Sequence, residues 1–220
     1  MISDLPLPDN TLTYNMFRNV CSQYESRLQQ LWINDAELEY IDNDILARYP
    51  NLKYLNLAGN NLLLNFSEKA WALTELDVSN NRLNVIHPDA LKNLKSLKMV
   101  NISFNRLDQV KFCFSQLQEL EEIYLNNNQL TSISNDEFGH LVKLKNLQEL
   151  YLNSNELSSI DKQHFIQLPN LKILKIGNNL ITELGSQYIF KSLEELHCEN
   201  NQIKNIDKDA MNKLGGLKVL

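Results

Sequence analysis

The sequence predicts an α/β solenoid: a right-handed coil whose short parallel strands line a concave sheet, with loops or short helices returning over the convex side. Three observations carry that prediction. A leucine opens the same phrase eight times, at Leu28, Leu52, Leu73, Leu97, Leu120, Leu147, Leu171 and Leu193. In seven copies an asparagine stands eight residues later, at Asn60, Asn81, Asn105, Asn128, Asn155, Asn179 and Asn201, while the first copy has Ala36 there. The copies are 24, 21, 24, 23, 27, 24, 22 and 24 residues long. Self-similarity at about 20–29 residues is the mark of stacked supersecondary units.

The elements follow in order along one copy, Leu147–Asn170, which reads LQELYLNSNELSSIDKQHFIQLPN. Its apolar residues fall at positions 1, 4, 6, 11, 14, 19 and 22. Positions 3–7 alternate with a period of two, which predicts a short half-buried strand. The asparagine at position 9 comes where the backbone leaves the sheet and its N–H and C=O groups need new partners. A carboxamide offers two donors and an acceptor at one site, so it bridges one coil to the next. Replacing it with leucine would leave buried polar groups unsatisfied. The return path keeps apolar anchors, as at Leu46/Tyr49, Leu91/Leu94, Phe138/Leu141 and Met211/Leu214, and is too short for long helices. One copy cannot bury its leucines alone, but stacked copies bury them against each other. Parallel crossovers are right-handed, and the bulkier return path puts the strands on the concave wall.

The phrase LxxLxLxxNxLxxIxxxxFxxLxx, complete in Leu147–Asn170 and nearly so in Leu120–Ile133, resembles the leucine-rich repeat. The Phe/Leu anchors and the prevailing length of 24 residues are similar to its "typical" subclass, and the likeness covers residues 28–220. The resemblance implies a solenoid that binds other proteins, usually on its concave wall. The subclass is similar to animal extracellular receptors and secreted immune or adhesion proteins.

Departures from the repeat divide the chain. Residues 1–27 fit no copy. They read as an N-terminal cap or a degenerate repeat, with Phe17 and Val20 spaced like return anchors. Residues 28–220 form the repeat domain, ending in the first residues of a ninth copy, Leu217–Leu220, with no polar cap over the last layer. That ending predicts a fragment of a longer protein or an end covered by a partner. The length changes of the second and fifth copies belong on the convex side, where loops absorb them. Three cysteines leave at least one thiol unpaired. Cys21 and Cys113 would stand roughly 14 Å apart at about 4.8 Å per strand, beyond the roughly 7 Å a disulfide allows. Cys198 takes a core-leucine position, so three free thiols are expected.

Composition narrows function. A net charge of −6 argues against nucleic acid or an anionic membrane as the main partner. No apolar run approaches the ~20 residues of a membrane span. The start lacks the basic and apolar regions of a secretory signal. No cofactor, metal-ligand spacing, phosphate loop or nucleophile motif occurs, and His87, His140, His164 and His197 are scattered over different repeats. No catalytic role is therefore expected. Glu122 and Glu149 are adjacent acids on an open wall, which reads as a solvated face and not as an acid–base pair.

Function is expected in outward strand positions, which the repeat does not dictate. Position 5 reads Trp32, Asn56, Asp77, Asn101, Tyr124, Tyr151, Lys175 and His197. Tyr124 and Tyr151 share that column in adjacent strands, so their rings should lie about 5 Å apart, with Glu122 and Glu149 beside them. The pair is either an interface patch or a cross-strand pair that steadies the sheet. Glu75, Asp77, Glu122, Glu149, Glu195 and Glu199 outnumber Lys175 on the wall, which favours a basic protein partner. Asn65 and Asn101 head glycosylation sequons, and a glycan on Asn101 would push binding toward Tyr124–His197 or onto another face. The expected function is non-catalytic protein recognition on the concave wall, through Glu122, Tyr124, Glu149, Tyr151, Lys175 and His197, in an extracellular receptor or secreted protein. The alternatives are a cytoplasmic scaffold or regulatory subunit, and the repeat region of an enzyme.

Overall fold

The computed structural model describes residues 11–12, 26–41, 48–63, 72–133, 144–160, 168–184, 192–206 and 217–218. The strands in chain order are β1 (Thr11–Leu12), β2 (Gln30–Trp32), β3 (Tyr40–Ile41), β4 (Tyr54–Asn56), β5 (Glu75–Asp77), β6 (Met99–Asn101), β7 (Glu122–Tyr124), β8 (Glu149–Tyr151), β9 (Ile173–Lys175), β10 (Glu183–Leu184), β11 (Glu195–His197) and β12 (Asn205–Ile206). Eight of them make one sheet in the order β11-β9-β8-β7-β6-β5-β4-β2. All of its pairings are parallel, and each sets position 3 against position 3 of the next copy, as Glu122 against Glu149. The fold is thus a parallel-sheet solenoid of stacked coils.

Each strand of this sheet is three residues long, with its middle residue buried and its flanking residues facing out. The inward residue is Leu31, Leu55, Leu76, Val100, Ile123, Leu150, Leu174 or Leu196. Positions 1, 6 and 11 complete the core, as Leu147, Leu152 and Leu157 do around Leu150. Burying one such side chain contributes about 1.5–3 kcal/mol, and here most of that burial is against neighbouring coils.

The asparagines tie the coils together. Asn128 Nδ2 donates to Ile102 O of the preceding coil at 3.1 Å and to Leu125 O of its own coil at 3.1 Å. Its Oδ1 accepts from Leu107 N of the preceding coil at 3.0 Å. The same three bonds recur at Asn81, Asn105, Asn155, Asn179 and Asn201. Asn60 reaches the first copy in this way, donating to Ile33 O and accepting from both Ala36 N and Leu38 N. Ala36 therefore begins the ladder as a recipient.

The residue before each asparagine turns the chain. Asp35, Gly59, Asn80, Phe104, Asn127, Ser154, Asn178 and Asn200, all at position 8, have φ between 54° and 68°. In the first seven of these the N–H donates to the position 7 carbonyl of the next coil, as Phe104 N does to Asn126 O at 3.0 Å. Asparagine, aspartate and glycine accept this left-handed backbone most readily.

Much of the return side, where loops or short helices are expected, lies outside the described residues. Its described parts include single i→i+3 turns such as Leu94 N to Leu91 O and Leu117 N to Phe114 O. Two small parallel pairs, β1–β3 and β10–β12, lie outside the main sheet. Tyr49, Leu91 and Leu94 are buried anchors. Leu46, Phe138, Leu141, Met211 and Leu214 lie outside the described residues, as do Phe17, Val20, Cys21, Asn65, His140 and His164. Cys113 is buried and Cys198 partly so, and both are free thiols. Burial pushes the Cys113 thiol up to about 12, which makes it an inert core residue.

Replacing Asn128 with leucine should lower stability by about 1–3 kcal/mol, because Leu107 N, Ile102 O and Leu125 O each lose a partner. Urea unfolding measures it, and a midpoint equal to wild type would contradict the bridging role.

Candidate functional site

Parallel pairing in a constant register makes columns of the outward positions. Position 5 runs Trp32, Asn56, Asp77, Asn101, Tyr124, Tyr151, Lys175, His197 across successive strands. In-register strands lie about 4.8 Å apart, so two tyrosines in one column meet face to face. The rings of Tyr124 and Tyr151 stack with centroids 4.4 Å apart and planes inclined by 14°. Lys175, next in the column, places Nζ 5.1 Å from the Tyr151 centroid, within cation–π range.

Side chains two residues apart on a strand share a face. Glu122 and Glu149 therefore stand beside the rings. Tyr124 Oη donates to Glu122 Oε2 at 2.8 Å, and Tyr151 Oη donates to Glu149 Oε2 at 2.7 Å. Partial burial, followed by the bond to Glu149, pushes the Tyr151 phenol up to about 12. Burial and the bond to Glu122 raise Tyr124 as well. Both hydroxyls stay neutral donors at physiological pH, and each carboxylate is held in one place.

The rest of the wall is less concentrated. His197 lies one strand beyond Lys175, with Nε2 at 3.5 Å from Glu195 Oε2. Asn101, one strand before Tyr124, donates from Nδ2 to Asp77 Oδ2 at 3.3 Å and accepts from Ser103 Oγ at 2.6 Å. The structure thus gathers Glu122, Tyr124, Glu149, Tyr151 and Lys175 into one cluster and leaves His197 at its margin. Among the described residues, no three His, Cys, Asp or Glu side chains form a group able to hold a metal ion, and no helix is long and apolar enough to cross a membrane.

The family model described as "Leucine rich repeat" matches residues 71–112 and 145–190, and "Leucine Rich repeats (2 copies)" matches residues 118–162, together more than half of the chain. The chain belongs to the leucine-rich-repeat family. Epiphycan of Gallus gallus is 31% identical over 142 residues, which is 60% of this chain and 44% of that protein. A leucine-rich-repeat protein of Leptospira interrogans superposes with a TM-score of 0.80 at 27% identity, covering 92% of this chain and 50% of that one. A structure of a TLR13–ssRNA13 complex gives a TM-score of 0.74 at 25% identity, covering 96% of this chain and 34% of that one. The chain thus spans half or less of the length of these relatives. It is a leucine-rich-repeat interaction module, related to animal receptor and matrix proteins.

Within the leucine-rich-repeat frame, three features escaped the reading of the sequence. Lys175 caps the tyrosine stack; its place in the position 5 column was the signal. Trp32 and Tyr54 form a second aromatic pair, with centroids 5.2 Å apart and planes at 44°; they are diagonal neighbours in positions 5 and 3. Position 8 is a column of left-handed residues, in which Phe104 is the one large side chain. Reading that column down the repeats would have exposed it.

The phenols yield a pH test. Folded Tyr151 keeps its proton above the pH at which an unfolded tyrosine, with a pKa of about 10, loses it. Folding therefore loses stability as pH rises from about 10 to about 12. Tyrosinate absorbance should show a late fraction, and the urea midpoint should fall over the same interval. In Glu149→Gln the Tyr151 transition should move down without reaching the ordinary value, because burial is the larger cause. A single ordinary tyrosinate transition in the wild type would exclude the Tyr–Glu pairs.

Proposed function

We propose that this chain recognises a protein ligand on the outward, concave face of its eight-stranded sheet, centred on the Tyr124/Tyr151 stack. The observation that carries this reading is the cluster itself: two half-buried stacked rings, both hydroxyls anchored on carboxylates, and a lysine across the outer face. Rigid aromatics held in place before binding lose little freedom on contact, which is why interface hot spots favour tyrosine. Glu122, Glu149 and Lys175 rim the rings, and His197 marks the margin.

The wall's acids favour a ligand presenting lysine or arginine. With both phenols donating to glutamates, the Tyr124 ring is the seat proposed for such a cation, as Tyr151 is for Lys175. A glycan on Asn101 would stand one strand from Tyr124 and limit the footprint to the Tyr124–His197 side; Asn65 heads the other sequon. The kinship with animal receptor and matrix proteins supports an extracellular or cell-surface setting. The pairing of Thr11–Leu12 with Tyr40–Ile41, parallel like that of β10 with β12, supports reading residues 1–27 as a degenerate coil.

A peptide array varying in charge, read with purified chain, tests the proposal. Basic peptides should be retained over acidic ones by the wall. The Tyr124→Ala/Tyr151→Ala double variant should bind them at least tenfold more weakly, a loss of about 1.4 kcal/mol or more, while still unfolding cooperatively. The double Phe variant keeps the stack and separates ring contact from the hydroxyls. Equal binding by a folded alanine double variant would assign the tyrosines to sheet stability alone.

A further inference from the structure

A second concentration of unusual side chains lies on the edge where each strand turns out of the sheet. Position 8 holds a left-handed backbone in every complete coil, and elsewhere the residue there is an asparagine, Asp35, Gly59 or Ser154. Phe104 occupies the site at φ 55° and is 55% exposed. A bulky side chain is strained in this conformation, and the exposed ring recovers little by burial. Such unrepaid strain accumulates at binding positions.

Two arginines stand next to it. Arg106 is two residues on, and Arg82 is its equivalent in the preceding coil; Arg106 N donates to Leu83 O at 2.8 Å, so the two side chains leave from adjacent coils. Both are exposed. Neither forms an ion pair among the described residues, whereas Lys98 and Lys218 pair with Glu121 and Glu194. Two unpaired guanidiniums side by side are notable in a chain of net charge −6. An open cleft of about 420 Å³ follows the edge, lined by Asp35, Gly59, Asn80, Arg82, Phe104 and Arg106. The Asp35 carboxylate packs over Gly59, where a Cβ would collide with it. That carboxylate, held by Asn34 Nδ2 at 2.7 Å, closes the far end.

We propose that this edge docks an acidic protein segment, with an apolar side chain of the segment on Phe104 and its carboxylates on Arg82 and Arg106. Guanidinium forks match carboxylates in shape and charge. Asp35 repels acids at the other end, so the segment lies in one direction. The chemistry is opposite to that of the tyrosine wall, which favours basic ligands. A long polyanion such as RNA fits less well, since beyond two arginines it would run along an acidic chain.

The test uses the whole chain and an array of nine-residue peptides, each with a central leucine or phenylalanine flanked by glutamates, beside the same peptides with glutamines. Affinity is read by fluorescence anisotropy, with an oligouridine competitor. Glutamate peptides should bind at least tenfold more tightly than their glutamine partners. Arg82→Gln/Arg106→Gln should abolish that preference. Phe104→Asn, which suits the left-handed site, should weaken binding about tenfold while raising the melting midpoint by about 2–4 °C. Tyr124→Ala/Tyr151→Ala should leave this binding unchanged, which separates the edge from the wall. No glutamate preference, binding insensitive to the arginine and Phe104 variants, or oligouridine bound more tightly than every peptide would each overturn the proposal.

Discussion

The carboxamide at position 9 is the constraint on which the rest of this structure depends. Where a three-residue strand ends, two carbonyls at position 6, one in each of two neighbouring coils, and an N–H at position 11 face the interior without sheet partners. One side chain supplies both: Asn155 takes Leu125 O and Leu152 O on its nitrogen and Leu130 N on its oxygen. Aspartate would offer no donors, and a longer amide would overshoot the turn. Because two of the three bonds cross to the preceding coil, the ladder fixes coil spacing as well as coil shape. The leucines then pack at a spacing they do not themselves set.

That division of labour frees the outward positions. Positions 1, 4, 6 and 11 fill the core, position 9 bridges and position 8 turns, so positions 3, 5 and 7 stand outside the leucine core. Their chemistry is nonetheless ordered by the register. Tyr124 and Tyr151 stack because the ladder holds their strands one spacing apart, and Glu122 and Glu149 reach the hydroxyls because a strand returns to the same face every second residue. Two carboxylates directly across the sheet would repel each other. Each accepts a hydrogen bond from a phenol, which fixes its charge beside an aromatic ring.

The fold was legible in the sequence to the level of single residues, since the repeat prints each inward leucine and each bridging asparagine eight or seven times. The return path was less legible. The copies vary in length from 21 to 27 residues, and turns such as Leu91–Leu94 do not differ in composition from a short helix. Of the candidate site, the tyrosine column was legible because identical residues in one column must meet. Lys175 over Tyr151 was not, because a cation–π contact joins unlike residues and depends on a rotamer. Phe104 was hidden differently: as an aromatic residue in a leucine-rich chain it reads as one more core side chain, and only its positive φ and its exposure reveal it as out of place.

Charge is also distributed by the coil. The acids Glu122 and Glu149 face out from the strands, while Arg82 and Arg106 sit past the turn at position 10, on the edge. Positions 3 and 10 of one coil are separated by the position 8 turn, so substitutions in one column do not alter the packing of the other. A globular core couples its surfaces through shared interior contacts; here each coil contacts only its neighbours, and every column is a separate surface on one scaffold. The net charge of −6 is therefore a sum over columns of differing charge. It is the columns, and not the sum, that select what each face can hold.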